Sequence, residues 1–102
     1  MAKKIVQINF NYEMTDEELE KGADGFVNPV LEVPGFIWKI WILNKQKKLT
    51  GGIYLFQDEA SAKAYVEGPI CDQLRSISSF TNVTMKHFDI MGEQSKSTRA
   101  PI

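Results

Sequence analysis

The sequence predicts one small α+β domain of the ferredoxin-like type, a β-α-β-β-α-β chain with both helices on one face of an antiparallel sheet. Three observations predict it. Four segments, at residues 5–12, 36–43, 51–56 and 83–91, have the composition or period of strands. Two helical stretches, each opened by a capping residue, separate the first strand from the second and the third from the fourth. The 102 residues leave room for a single core, assigned to residues 1–91, with 92–102 as a polar tail.

Each element has its own warrant. Val6, Ile8, Phe10 and Tyr12 alternate with Gln7, Asn9 and Asn11, which is the period of a strand buried on one side. Thr15-Asp16-Glu17-Glu18 has the form of a capping box. The helix it opens repeats Leu19, Ala23, Phe26, Val27 and Val30 at steps of three and four, and Gly22, Gly25 and Pro29 predict a kink or stop near Asn28. Pro34-Gly35 marks a turn, after which residues 36–43 are rich in aromatic and β-branched side chains. A polar loop over residues 44–50 leads into Gly51-Gly52-Ile53-Tyr54-Leu55-Phe56, so these two strands form a hairpin. The paired glycines predict a bulge or the close approach of another backbone. Asp58 caps the second helix, which carries Ala62, Tyr65 and Val66 inward. Gly68-Pro69 interrupts it, and the proline can open a further helix through Ile70, Leu74 and Ile77. Residues 83–91 close the sheet, and the aperiodic stretch after them is a frayed end or an arm laid on a partner.

Composition excludes several classes. Hydrophobic residues at 43% and charged ones at 25% match soluble globular chains. No apolar run nears the roughly 20 residues of a spanning helix, and the start passes almost directly into a strand pattern, so neither a membrane span nor a secretory leader is expected. Cys71 has no partner for a disulfide or a zinc site, which suits a reducing, cytoplasmic setting. A net charge of −1, with clustered basic residues only at Lys45, Lys47 and Lys48, gives no footprint for nucleic acid.

The second strand carries the oligomeric argument. Counting by twos puts Phe36, Trp38, Ile40 and Ile42 on one side and Ile37, Trp41 and Leu43 on the other. A strand apolar on both faces must be covered on both, and two helices cover only one. A second copy of the chain is the expected cover, which predicts a homodimer; a surface strip, or packing beneath the C-terminal tail, is the alternative.

Pro34-Gly35-Phe36-Ile37-Trp38-Lys39-Ile40-Trp41, followed by Gly51-Gly52-Ile53-Tyr54-Leu55-Phe56, resembles the central signature of the YdhR mono-oxygenase family. Ala64-Tyr65-Val66-Glu67-Gly68-Pro69 and Lys86-His87-Phe88-Asp89-Ile90 extend the likeness over nearly the whole chain up to Met91. The resemblance implies a dimeric α+β barrel in the superfamily of antibiotic-biosynthesis mono-oxygenases and haem-degrading enzymes. It further implies an oxygenase needing no metal or flavin, in which a phenol or quinol-like substrate loses a proton and then an electron to dioxygen. Such a protein binds the ring between sheet and helices, stabilises its anion and excludes water.

Candidate residues follow from that chemistry. Asn9, Tyr54 and His87 are the catalytic candidates; Gln7, Trp38, Trp41 and Phe56 are the candidates for binding an aromatic substrate; no metal ligand and no cofactor is expected. Asn9 leads, because polar side chains on a central strand need partners, although those partners can be internal. His87 is the sole histidine and the natural acid or base, unless it only packs. Against the quinol-oxidising relatives, Phe56 replaces a tryptophan and Gly52 an asparagine. The histidine that holds iron in haem-degrading relatives has no counterpart between residues 68 and 77, and Cys71 reads as a small hydrophobe. A non-catalytic small-molecule binder or stress-related dimer, and an isomerase or lyase, remain alternatives on the same scaffold.

Overall fold

The structure, a computed structural model, describes residues 2–102. Alternating burial makes Lys4–Tyr12 strand β1, with Val6, Ile8, Phe10 and Tyr12 turned inward. Helix α1, Asp16–Leu31, opens on the expected capping box: Thr15 Oγ1 accepts from the Glu18 amide at 3.1 Å and Glu18 Oε1 accepts from the Thr15 amide at 3.2 Å. It runs through Pro29 and stops at Leu31, three residues beyond Asn28. A proline has no amide to bond back along the helix, so an end within a turn of it is the physical outcome.

Val33 O accepts from the Phe36 amide at 3.1 Å across Pro34-Gly35, closing a turn whose third residue has φ 80°, a conformation suited to glycine. Strand β2, Phe36–Asn44, and strand β3, Leu49–Phe56, then form the antiparallel hairpin. Helices α2, Glu59–Val66, and α3, Pro69–Ser76, are separated at Gly68, with Pro69 at the start of α3. Strand β4, Phe80–Asp89, begins three residues before the expected position, because Phe80 packs on Phe10 with ring centroids 4.4 Å apart.

The sheet order is β2-β3-β1-β4, all antiparallel, which is the ferredoxin-like arrangement. Gly51 lets β1 and β3 meet, since a Cβ there would stand 1.8 Å from the Ile8 carbonyl oxygen; the close backbone approach is the one the sequence predicts. The inward face is continuous through cross-strand partners, with Val6 opposite Tyr54, Ile8 opposite Gly52 and Phe10 opposite Thr50.

Two expectations are corrected. An irregularity between Phe36 and Trp38 inserts one extra residue in β2, so Phe36 pairs with Phe56 while Trp38 pairs with Leu55. Phe36 therefore lies on the helix side with Lys39, Trp41 and Leu43, and only Trp38, Ile40 and Ile42 keep the outer side. The stretch after β4 is not wholly irregular: Gly92–Ser97 forms the short helix α4. Beyond it the chain returns to the far edge of the sheet, where Trp38 Nε1 donates to the Pro101 carbonyl at 2.9 Å. Among the described residues, no helix is long and apolar enough to cross a membrane.

Candidate active site

A cavity of about 560 Å³ lies between the inward face of the sheet and helices α1 and α3. It exists because α1 stands back from the sheet, burying only Leu19 and Val30, while the β3 floor beneath it carries the small residue Thr50. Ile8, Phe10, Leu19, Phe26, Ile70, Leu74 and Phe80 give it apolar walls. Its polar lining is concentrated at Lys39, Tyr54, Tyr65 and Cys71, with Glu18 and Glu20 contributed by α1. Glu18 is already held by Thr15 in the capping box.

Lys39 is the residue that sequence reasoning missed. Its Nζ lies 3.3 Å from the centroid of the Trp41 ring and 4.7 Å from that of Tyr54. Among the described residues no carboxylate forms an ion pair with it. Gly52 makes the space, because a Cβ there would stand 2.4 Å from Lys39 Cε. Desolvation in this apolar surround lowers the Lys39 pKa from 10.5 to about 7. The indole face favours the ammonium form by about 0.5–2 kcal/mol, which is less than that lowering represents. The amine therefore exchanges its proton near neutral pH.

Beside it, Tyr65 Oη donates to Tyr54 Oη at 3.1 Å, both hydroxyls buried. Burial raises the pKa of each phenol above the ordinary tyrosine range, so both stay protonated and able to donate. Burial likewise raises the Cys71 thiol, which stays neutral. The cluster thus combines one proton-accepting amine with a phenol pair, in which Tyr65 donates to Tyr54 and the Tyr54 hydroxyl is the free donor, in a largely apolar chamber. Such a chamber suits a flat ring that carries, or acquires, a single negative charge.

The sequence candidates divide between the two faces. Tyr54 and Trp41 line the cavity. Phe56 is fully buried behind them, its ring 6.1 Å from Tyr54 and 5.4 Å from Tyr65, so it supports the site without facing it. His87 shares the cross-strand row of Val6 and Tyr54 but lies on the opposite edge, two strands or about 10 Å from Tyr54, exposed and outside the cavity lining. Gln7, Asn9 and Trp38 sit on the outer face. Gln7 Nε2 donates to Asn9 Oδ1 at 2.9 Å and Trp38 is bonded to the tail, a correction to the expectation that this polar row meets a ligand between sheet and helices. The one signal for Lys39 in the sequence is a lone charge within the apolar run of residues 36–43. Among the described residues no cluster of three or more histidine, cysteine or acidic side chains is placed to hold a metal ion.

With this geometry in place, comparisons with known proteins supply kinship. The family described as "Putative mono-oxygenase ydhR" matches residues 5–101. No curated protein matches the sequence significantly. Among solved structures, the chain is similar to NE2512 of Nitrosomonas europaea, a protein of unknown function, at 14% identity and a TM-score of 0.73, covering 89% of this chain and 91% of that one. It is similar to SnoaB, a cofactor-independent oxygenase from Streptomyces nogalater, at 15% identity and a TM-score of 0.64, covering 92% and 96%. It is also similar to the haem degrader MhuD of Mycobacterium tuberculosis, at 18% identity and a TM-score of 0.65, covering 85% and 95%. At these identities the structural likeness establishes the fold, shared with mono-oxygenases of the antibiotic-biosynthesis type.

Proposed function

This chain belongs to the ydhR mono-oxygenase family, and from that premise we propose that it oxidises a small phenol or quinol-like ring, without a bound cofactor, in the cavity between sheet and helices. The observation that carries the reading is the unpaired Lys39 amine set against Trp41 and Tyr54 on the wall of an apolar chamber. Lys39 takes the proton of the substrate hydroxyl and, as an ammonium, stabilises the ring anion. Tyr54, held protonated, donates a hydrogen bond to the same oxygen. The anion gives one electron to dioxygen, and the ring radical and superoxide join as a peroxide that loses water. A ring C–H thereby becomes a carbonyl: one oxygen atom enters the product, the other leaves in water, and all four electrons come from the ring.

Haem is a ligand class suggested by the MhuD neighbours, and the residues do not fit it. Haem iron is usually held by histidine, thiolate, tyrosinate or methionine. Among the described residues the cavity lining contains no histidine, its thiol and both phenols are kept protonated, and only Met14 is left of that set. No step is routed through haem.

We place the protein in the cytoplasm as a homodimer formed through the outer face of the sheet. Ile40 and Phe88 there are 51% and 45% exposed in the single chain, beside the part-exposed Ile42 and Ile53, a patch that a second copy would cover.

The test is oxygen uptake by metal-free protein with a panel of one- to three-ring phenols and quinols under air. Uptake with at least one of them, lowered tenfold or more by both Lys39→Met and Tyr54→Phe, supports the mono-oxygenase. Ligand binding without turnover would replace it by a binding protein, and conversion that continues without oxygen by an isomerase or lyase.

A further inference from the structure

The mono-oxygenase reading uses Lys39 as a base and then as a cation beside the ring anion, yet the surroundings of this side chain also suit it to form a covalent bond. Its Nζ stands in a chamber of about 560 Å³, large enough for a ring-bearing molecule to approach. Among the described residues it has no carboxylate partner, so nothing anionic ties it up as an ammonium salt. Its stem lies in the gap left by Gly52, which directs the amine toward the Trp41 and Tyr54 rings. Lysines that act as nucleophiles toward carbonyl groups are desolvated in this way. The other lysines are exposed, on loops, on helices or, for Lys86, on strand β4, or are ion-paired to carboxylates like Lys4 and Lys48.

From this cluster we propose that Lys39 is a carbonyl-reactive amine, forming a reversible imine with an aromatic aldehyde or ketone bound in the cavity. The Lys39 nitrogen attacks the carbonyl carbon, a C–N bond forms as the C–O π bond breaks, and a proton passes from nitrogen to oxygen to give the carbinolamine. Its hydroxyl leaves as water with a proton from the Tyr54 and Tyr65 pair, and the nitrogen returns a proton to that pair as the C=N bond closes. One amine and one carbonyl give one imine and one water, with no oxidant or reductant consumed. The titratable groups that line the same cavity as Lys39 are Tyr54 from β3, Tyr65 from α2, Cys71 from α3, and Glu18 and Glu20 from α1. The two phenols and the thiol remain neutral at pH 7, and the low pKa of Lys39 supplies free amine at that pH.

The experiment uses the full chain at pH 7 with 4-hydroxybenzaldehyde and borohydride, which reduces an imine to a stable secondary amine. The modified lysine is located by peptide mapping. Labelling at Lys39 at least tenfold above any other lysine, lost when the protein is unfolded before treatment, is the expected result. Lys39→Arg keeps a positive charge but cannot form the imine, and is expected to remove the dominant adduct. Labelling spread evenly over the surface lysines, or unaltered in total by Lys39→Arg, overturns the proposal. Oxygen uptake with phenols that persists while no Lys39 adduct forms overturns this inference and leaves the oxygenase reading in place. A Lys39 adduct without oxygen uptake by any phenol does the reverse.

Discussion

The two faces of the sheet are built from the same four strands and solve opposite problems. On the outer face, polar side chains satisfy one another: Gln7 donates to Asn9, Asn11 donates to the carbonyls of Lys47 and Lys48, and Asn82 donates to Asn11. On the inner face, polarity is sparse: Lys4, opposite Phe56 at one end of the face, is paired with Asp89, whereas Lys39 has no ion-pair partner among the described residues. A row of amides on a central strand is therefore compatible with plain structure. A solitary amine in apolar surroundings costs stability, and that cost is what marks it for chemistry.

The comparison can be broken most severely at the seam the two faces share. Gly51→Ala sets a Cβ against the Ile8 carbonyl and should cost about 3 kcal/mol or more, or prevent folding, as read by urea unfolding. On the inner face, Lys39→Met should stabilise the protein while abolishing activity. The Lys39 pKa falls on folding, from 10.5 to about 7, so between these values the unfolded chain binds the extra proton and stability rises with pH. The gain from Lys39→Met is thus greatest below pH 7, about 1–3 kcal/mol after discounting for the partly exposed side chain, and fades toward pH 10.5. Thermal melts at pH 6 and pH 10 read the difference. Tyr65→Phe removes the donor to Tyr54 Oη and should cost about 1 kcal/mol in the same melts. On the outer face, Trp38→Phe deletes the bond to Pro101 at an exposed site; a loss of about 0.5 kcal/mol and faster proteolytic trimming after Asp89 are expected. The smallest effect belongs to Asn9→Ala, which should alter oxygen uptake less than twofold, because Asn9 turns away from the cavity.

The strands, both capping boxes or caps, and the break at Gly68-Pro69 were legible because each rests on local chemistry: side-chain period, a hydroxyl or carboxylate positioned for a free amide, and a missing proline amide. The faces of β2 were not, since one inserted residue between Phe36 and Trp38 reverses a count by twos and leaves no compositional trace. Helix α4 escaped because six polar residues with none buried give no periodic signal. The candidate site was half legible. Tyr54 and Trp41 stood out as aromatic residues in a signature, whereas a lysine in an edge strand ordinarily reads as solvent-facing. Only the cross-strand pairing of Trp41 with Gly52, and the gap this glycine leaves, show that the Lys39 stem folds inward.

The most direct measurement is an NMR titration of the Lys39 side chain, following its Cε resonance in protein carrying 13C-labelled lysine and assigning it by its loss in Lys39→Arg. An amine enclosed by rings, with no carboxylate beside it, titrates near neutral pH and moves upward when a phenolate occupies the chamber. A midpoint close to 10.5, unchanged by any ring-bearing anion, would mean that this lysine lives in water and that the inner face holds no reactive amine.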